Sequence, residues 1–456
     1  MSKINITKQN FNSLETNTLI EPNALIEPTD YLIEPTDYLI EDANSLIELT
    51  DSLIDPVDLL IDTIDSKKLY KSNYTIQFGC QTDIGGCSNH ENQDESLILI
   101  IDDMHIFGIF DGHGSKNGKH VAICAKNSMK EYFEHYKFDP EMHQEYFNNL
   151  FEYTDNKLKD LLLIKHTKHL SQPQYEQGGS TCTILVIKND KCYYAHVGDS
   201  YGLICGKQND KYIYEELGEN HSPTNIDEYK RVLKFDKPLL FQYDNINKSS
   251  NKKNIYTIKD DEISITNKGS YYKNVKDEFA TIVSIPNNIN TLSMTRALGD
   301  FIFKYHGLIS TPFVMEFTLD SKFETMTINN NVLSIVLASD GVWDNWKNEK
   351  VAEFVMYDNC ISELTNINGT QRITESFIER NNKFGKSNFG TQLDNAVAIV
   401  IYITLSNNQE IEKQTETLEQ LKINEYIKQL ELEQPCEQLD DIVEFIVPIL
   451  DPNVEL

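Results

Sequence analysis

The apolar run Ile106-Phe107-Gly108-Ile109-Phe110 stops at Asp111-Gly112-His113-Gly114, so a carboxylate, two glycines and an imidazole stand at its tip. A hard cation takes carboxylate and carbonyl oxygens. Asp111 offers the first, and Gly112, having no Cβ, lets a backbone carbonyl approach the same ion. His113 adds a group that titrates near neutral pH. A turn with a capping Asp would read the same way, so the rest of the chain must decide. Asp94, Asp199, Asp340 and Asp394 also stand at the edges of strand-like apolar runs, each beside a small or polar residue. Acids converging at the ends of neighbouring strands repel one another, and divalent cations are the usual resolution. A donor set of oxygens without cysteine or several histidines favours Mg²⁺ or Mn²⁺ over zinc. Two such ions sharing a water generate a hydroxide near neutral pH and clamp a phosphoryl group for in-line attack.

These residues need a scaffold that brings strand ends together. Residues 74–79, 97–101 and 105–110 read as strands, and 116–136 as a helix, with Val121, Cys124, Met129, Tyr132, Phe133 and Tyr136 at three- and four-residue intervals. A second helical stretch spans about 141–169. Cys182 to Ile187 and Cys192 to Val197, joined by Asn189-Asp190, form a hairpin signal. The run Val332 to Ala338 leads into Ser339-Asp340-Gly341, a helix follows from about Asn348, and a final strand covers Ala396 to Thr404. Residues 247–278, rich in Asn, Lys and Tyr with little apolar periodicity, read as a long surface insertion in the region around 240–280.

The ends of the chain are different. The net charge is −30, which argues against nucleic acid or an anionic membrane as a partner. Residues 1–66 carry −12 of it and residues 408–456 carry −10, so the folded part, expected over 70–405, is only mildly acidic. Leu19, Leu25, Leu32, Leu39, Leu46, Leu53 and Leu60 each open Leu-Ile-Glu or Leu-Ile-Asp. After the first interval the spacing is seven, but Pro22, Pro28, Pro35 and Pro56 break any helix, which disfavours a coiled coil. The expectation is an acidic low-complexity arm without a core, or, as a functional alternative, a multivalent ligand for an unknown protein. The tail reads as acidic and partly helical. Eight cysteines show no C-x-x-C pair and look like reduced core residues. With no run of 18 apolar residues and no signal pattern, the expectation is a soluble, intracellular protein, cytoplasmic or nuclear.

Six segments in order carry a resemblance: Phe110-Asp111-Gly112-His113-Gly114, Gly178-Gly179-Ser180-Thr181, His196-Val197-Gly198-Asp199-Ser200, Thr295 to Asp300, Ala338 to Asp344, and Asp394-Asn395. Together, over roughly residues 74–404, they resemble the metal-dependent Ser/Thr protein phosphatases of type 2C. The resemblance implies an α+β fold in which two antiparallel β-sheets pack face to face with helices outside. It also implies a centre of two Mg²⁺ or Mn²⁺ ions and phosphoprotein substrates. By match of motif, Asp111 would bridge both metals, the Gly112 carbonyl would bind the second, and Asp340 and Asp394 would hold the first. Asp94 joins them as a strand-end acid. His113 would be the general acid, and Asp199 and Asp344 match positions used for a weaker third metal. Departures are Asn89 where the phosphate-binding arginine is usual, Gln93 for a frequent Glu, and Tyr201 where an arginine commonly follows Gly-Asp-Ser. The expected function is hydrolysis of phosphoserine and phosphothreonine by metal-activated water. The alternative is a catalytically weak phosphatase fold serving as a scaffold.

Overall fold

The computed structural model describes residues 74–86, 91–164, 173–245, 252–260, 262–265, 268–327, 331–390 and 393–405. The repeat arm, the acidic tail and Asn89 lie outside them. A five-stranded antiparallel sheet runs in the order Tyr74–Asp83, Ala396–Leu405, Val332–Ala338, Tyr201–Gln208, Lys211–Leu217. A second sheet has seven strands, in the order Leu298–Gly299, Gly179–Ser180, Met104–His113, Cys182–Lys188, Lys191–Val197, Phe313–Thr318, with Asp94–Ile101 also pairing Met104–His113. The hairpins turn on Asp102, Asn189 and Asn209, each with φ between 52° and 57°. Asp and Asn are the non-glycine residues that tolerate that left-handed geometry.

The two sheets stack. Phe107, Ile109, Leu185, Ile187 and Tyr194 of the second meet Ile204, Leu333, Ile335, Leu337 and Ile399 of the first in one buried cluster. Both outer faces are covered as well, so the central strands are apolar on both sides and read as continuous runs. The Gly118–His135 and His143–Leu162 helices bury Val121, Met129, Phe147 and Phe151 against Ile106, Phe110 and Ile184. On the far side, helices Asn348–Val355 and Gly369–Phe389 bury Val351, Val355 and Phe377 against Val336, Val400 and Tyr402. The result is the four-layer αββα sandwich that the resemblance implied. A structural difference from the sequence reading is that the second helix stops at Leu162 instead of continuing to 169. Leu163 turns extended and bridges to Tyr175, with Ile164 N donating to Gln174 O at 3.0 Å. The helix expected from Asn348 is three helices, with Asp358–Glu363 between the two named.

The insertion is more than a surface loop. It leaves a small sheet at Leu240–Tyr243 and returns at Thr281–Ser284, two strands that pair with each other. Between them a hairpin, Tyr256–Lys259 with Glu262–Ile265, buries Ile255 and Tyr256 in a cluster with Phe241, Val283 and Phe303. Two buried residues suffice to anchor it, too few to create a visible sequence period. Among the described residues, no helix is long and apolar enough to cross a membrane. The described cysteines are free thiols, with Cys182, Cys192 and Cys205 buried.

Candidate metal centre

Strand register sets the positions of the acids. Asp94 opens its strand directly opposite Asp111. In the other sheet Ala338 pairs with both Ala398 and Tyr201. Asp340, Asp394 and the Asp199-Ser200 turn therefore leave the sandwich at one common end. The two sheets are stitched together there. Asp111 N donates to Thr181 Oγ1 at 3.2 Å, Thr181 N returns to Asp111 O at 2.9 Å, and Thr181 Oγ1 meets Ser200 Oγ at 2.8 Å. Ser339 Oγ donates to Asp94 Oδ2 at 2.7 Å.

Asp111, Asp199 and Asp340 each offer a ligand oxygen, and these lie within 4.8 Å of one another. Asp94 is buried beside them, whereas Asp394 is exposed at the rim. Burial pushes Asp111 and Asp340 well above the ordinary carboxylate range, and their neighbours push further: Asp340, Asp94 and Asp394 on the first, Asp199, Asp394 and Asp344 on the second. Burial also raises Asp94 to about 7, the Ser339 hydrogen bond opposing it and Asp394 adding to it. Asp394 is raised too, by desolvation and by Asp199, an effect its exposure to water softens. Like charges gathered in this way need positive charge to stay ionised together. Asp199 Oδ1 is buried with no hydrogen-bond partner, an acceptor left over for a cation. The donor set and this orphaned oxygen fit hard divalent ions. A Cβ on Gly112 would lie 2.3 Å from Gly118 O and 2.8 Å from Gln93 O, so glycine alone lets the backbone pass here beside Asp111.

His113 is one residue further on. Its Nε2 meets Asp300 Oδ2 at 2.6 Å, and its Nδ1 is buried without a partner. Burial pulls the imidazole pKa down, but the charge and hydrogen bond of Asp300 outweigh it, leaving it above the ordinary value. Asp300 takes a left-handed φ of 48° and is held by its N–H on Gly178 O at 2.9 Å. A Cβ on Gly179 would fall 2.0 Å from Asp300 Oδ2 and 2.5 Å from His113 Nε2, so the pair occupies space that a glycine leaves open. Sequence reasoning quoted Asp300 inside a motif but gave it no role.

The outer side of the cluster carries another unforeseen group. Asn274 Nδ2 donates to Asp344 Oδ1 at 3.3 Å and Val275 N to Asp344 O at 3.2 Å, so the insertion packs against the acids. Burial raises Asp344 to about 6, with Lys273 and Asn274 opposing and Asp199 reinforcing the shift. Tyr201 stacks on Trp343 with ring centroids 4.3 Å apart. Arg296 grips Glu228 through Nε at 3.0 Å and Nη2 at 2.6 Å, an ion pair. His196 and His221 are buried and stacked 4.5 Å apart, and His221 Nδ1 accepts from Gly198 N at 3.2 Å, beside Asp199. Trp343 and Trp346 are buried core aromatics.

The sequence model of the protein phosphatase 2C family matches residues 86–368, more than half of the chain. That segment holds every acid above except Asp394. Among curated relatives, Protein phosphatase 1L of Bos taurus is 25% identical over 277 residues, covering 60% of this chain and 61% of the relative. Probable protein phosphatase 2C 72 of Arabidopsis thaliana is 26% identical over 274 residues, covering 58% and 69%. The match thus spans less than two thirds of the first relative's length. A solved structure described as a C. elegans sex determining protein superposes with a TM-score of 0.50 at 16% identity, over 84% of this chain and 79% of that one, and shares the fold.

Proposed function

Because the chain belongs to the protein phosphatase 2C family, we propose that it hydrolyses phosphoserine and phosphothreonine in proteins at the acid cluster. The observation that carries this reading is the convergence of Asp111, Asp199 and Asp340 oxygens within 4.8 Å, with His113 two residues after Asp111. Two divalent ions, Mg²⁺ or Mn²⁺, would be held by Asp111, the Gly112 carbonyl, Asp340 and Asp394, with Asp94 beside them. When bound, such ions supply a nucleophilic water at neutral pH and neutralise the phosphoryl oxygens. The chain supplies the rest. Asp300 fixes His113 through Nε2, and this imidazole is the group from which a proton would pass to the departing seryl or threonyl oxygen. The positive charge this requires on the imidazole is favoured by Asp300 and not by solvent. The free thiols of the described cysteines support a reducing, intracellular setting.

The test is phosphate release from a phosphoserine peptide by the full chain, first stripped with chelator and then given Mn²⁺. We expect no release without the ion, full release with it, and none in Asp111→Asn under either condition. Hydrolysis that ignores both chelator and the Asp111 substitution would contradict the reading.

A further inference from the structure

Asp155 stands on the helix His143–Leu162, outside the acid cluster, yet its side chain is buried and directed at the segment that carries Asp300. Its Oδ1 accepts from Gly299 N at 2.9 Å, across 144 residues of sequence, and also from the Lys304 ammonium. Those two donors lie on either side of Asp300. Gly299, with a φ of 76°, and Asp300, with a φ of 48°, are two consecutive left-handed residues between the strand Leu298–Gly299 and the short helix Phe301–Lys304. A bend of this kind persists only where its surroundings hold it, and its buried N–H groups must find acceptors. Asp300 N finds Gly178 O, and Gly299 N finds Asp155. Leu298 and Phe301 anchor the flanks of the bend in the apolar cluster that contains Phe147, Phe151 and Leu158, from the same helix as Asp155. Beyond the bend, Asp300 Oδ2 meets His113 Nε2 at 2.6 Å. An unbroken series of contacts therefore runs from Asp155 through Gly299 and Asp300 to the imidazole.

We propose that Asp155 is a positioning residue for phosphoester hydrolysis: it fastens the Gly299-Asp300 bend so that the Asp300 carboxylate stays on His113. The proposal rests on the reading of His113 as the general acid. Asp155 acts through Asp300 and not on substrate. Without its carboxylate, the buried Gly299 N–H loses its acceptor and the Lys304 ammonium loses its counter-charge. The bend then relaxes to satisfy them elsewhere, and a misplacement of about 1 Å far from the chemistry can slow a reaction by about a hundredfold.

Steady-state hydrolysis by the full chain with Mn²⁺, on a phosphoserine peptide and on p-nitrophenyl phosphate, tests this. Asp155→Ala should lower kcat on the peptide at least about tenfold with KM unchanged, and should change p-nitrophenyl phosphate turnover far less. Asp155→Asn, which keeps an oxygen for Gly299 N, should recover most of the loss. Combined with His113→Ala, Asp155→Ala should take nothing further from peptide turnover, because the group it positions is gone. Should Asp155→Ala fail to fold, adding Lys304→Met removes the ammonium left unpaired, and that double variant carries the same expectations. Equal losses on the two substrates, no loss on either, a further loss in the His113→Ala background, or a double variant that also fails to fold would each overturn the proposal alone. A wild type inactive with Mn²⁺, or His113→Ala as active as wild type on the peptide, would overturn the reading of the site and this proposal with it.

Discussion

At the level of single residues, the proposed acid role of His113 turns on the contact between its Nε2 and Asp300 Oδ2. If His113 is the proposed acid, Asp300 holds its ring through Nε2 and favours its charged form. Asp300→Asn keeps the shape but removes the charge that favours the imidazolium. We expect phosphopeptide turnover to fall by roughly a hundredfold, the scale of general acid catalysis. Turnover of p-nitrophenyl phosphate, whose leaving group needs little protonation, should fall far less, and steady-state rates on the two substrates compare them. Equal losses would mean that Asp300 serves the fold or the metals instead. The placement of Asp111, Gly112 and His113 at a strand end was legible in sequence because it is local: an apolar run that ends in Asp-Gly-His states its own geometry. Asp300 lies 187 residues from its histidine, and no local pattern announces such a contact.

Among the elements, the short helix Ile226–Val232 ties down the segment that delivers Asp300. Its Glu228, almost fully buried, receives Arg296 through Oε1 at 2.6 Å, and Arg231 at 2.7 Å and the Thr295 hydroxyl at 2.8 Å through Oε2. Burial alone would raise the Glu228 pKa, but the hydrogen bonds and charges of Arg296 and Arg231 bring it down to about 2. A depressed folded-state pKa contributes stability that is fully present above the unfolded value near 4.3 and is lost as pH falls toward 2, here about 3 kcal/mol. Glu228→Gln should therefore lower the melting temperature at pH 7, with the gap to wild type closing between about pH 4.5 and pH 2. Thermal melts across that range check it, and a gap independent of pH would assign the loss to packing. Elements whose two faces are buried, such as Val332–Ala338, were plain in the sequence as continuous apolar runs. The strands Lys211–Leu217 and Phe313–Thr318 were not, because each is a sheet edge that is only partly covered and lacks such a run. The insertion's contact with the acids was not legible for a related reason, since Asn274 and Val275 acquire meaning only from the Asp344 they fold against.

On the scale of the whole molecule, the strands of both sheets come from residues between Tyr74 and Leu405 among those described. Tyr74 pairs with Leu405, and the Tyr74–Asp83 strand completes the first sheet. Residues 1–66 carry the proline-broken Leu-Ile repeat, whose composition gives the expectation of an arm that is dispensable for folding. A chain beginning at Ser66 should match the full protein in Mn²⁺-dependent turnover and in melting temperature at moderate salt, where screening suppresses competition by the arm's 14 acids. What it should lose is capture of a protein partner. Loss of folding or of activity would make the arm part of the domain. The central claim, that the common end of the two sheets is a two-ion centre, is tested most directly by anomalous diffraction at the manganese edge from crystals soaked in Mn²⁺. Two adjacent peaks beside Asp111 and Asp340, both missing in Asp111→Asn, are the result expected. Peaks elsewhere, or none at that end of the sandwich, would contradict it.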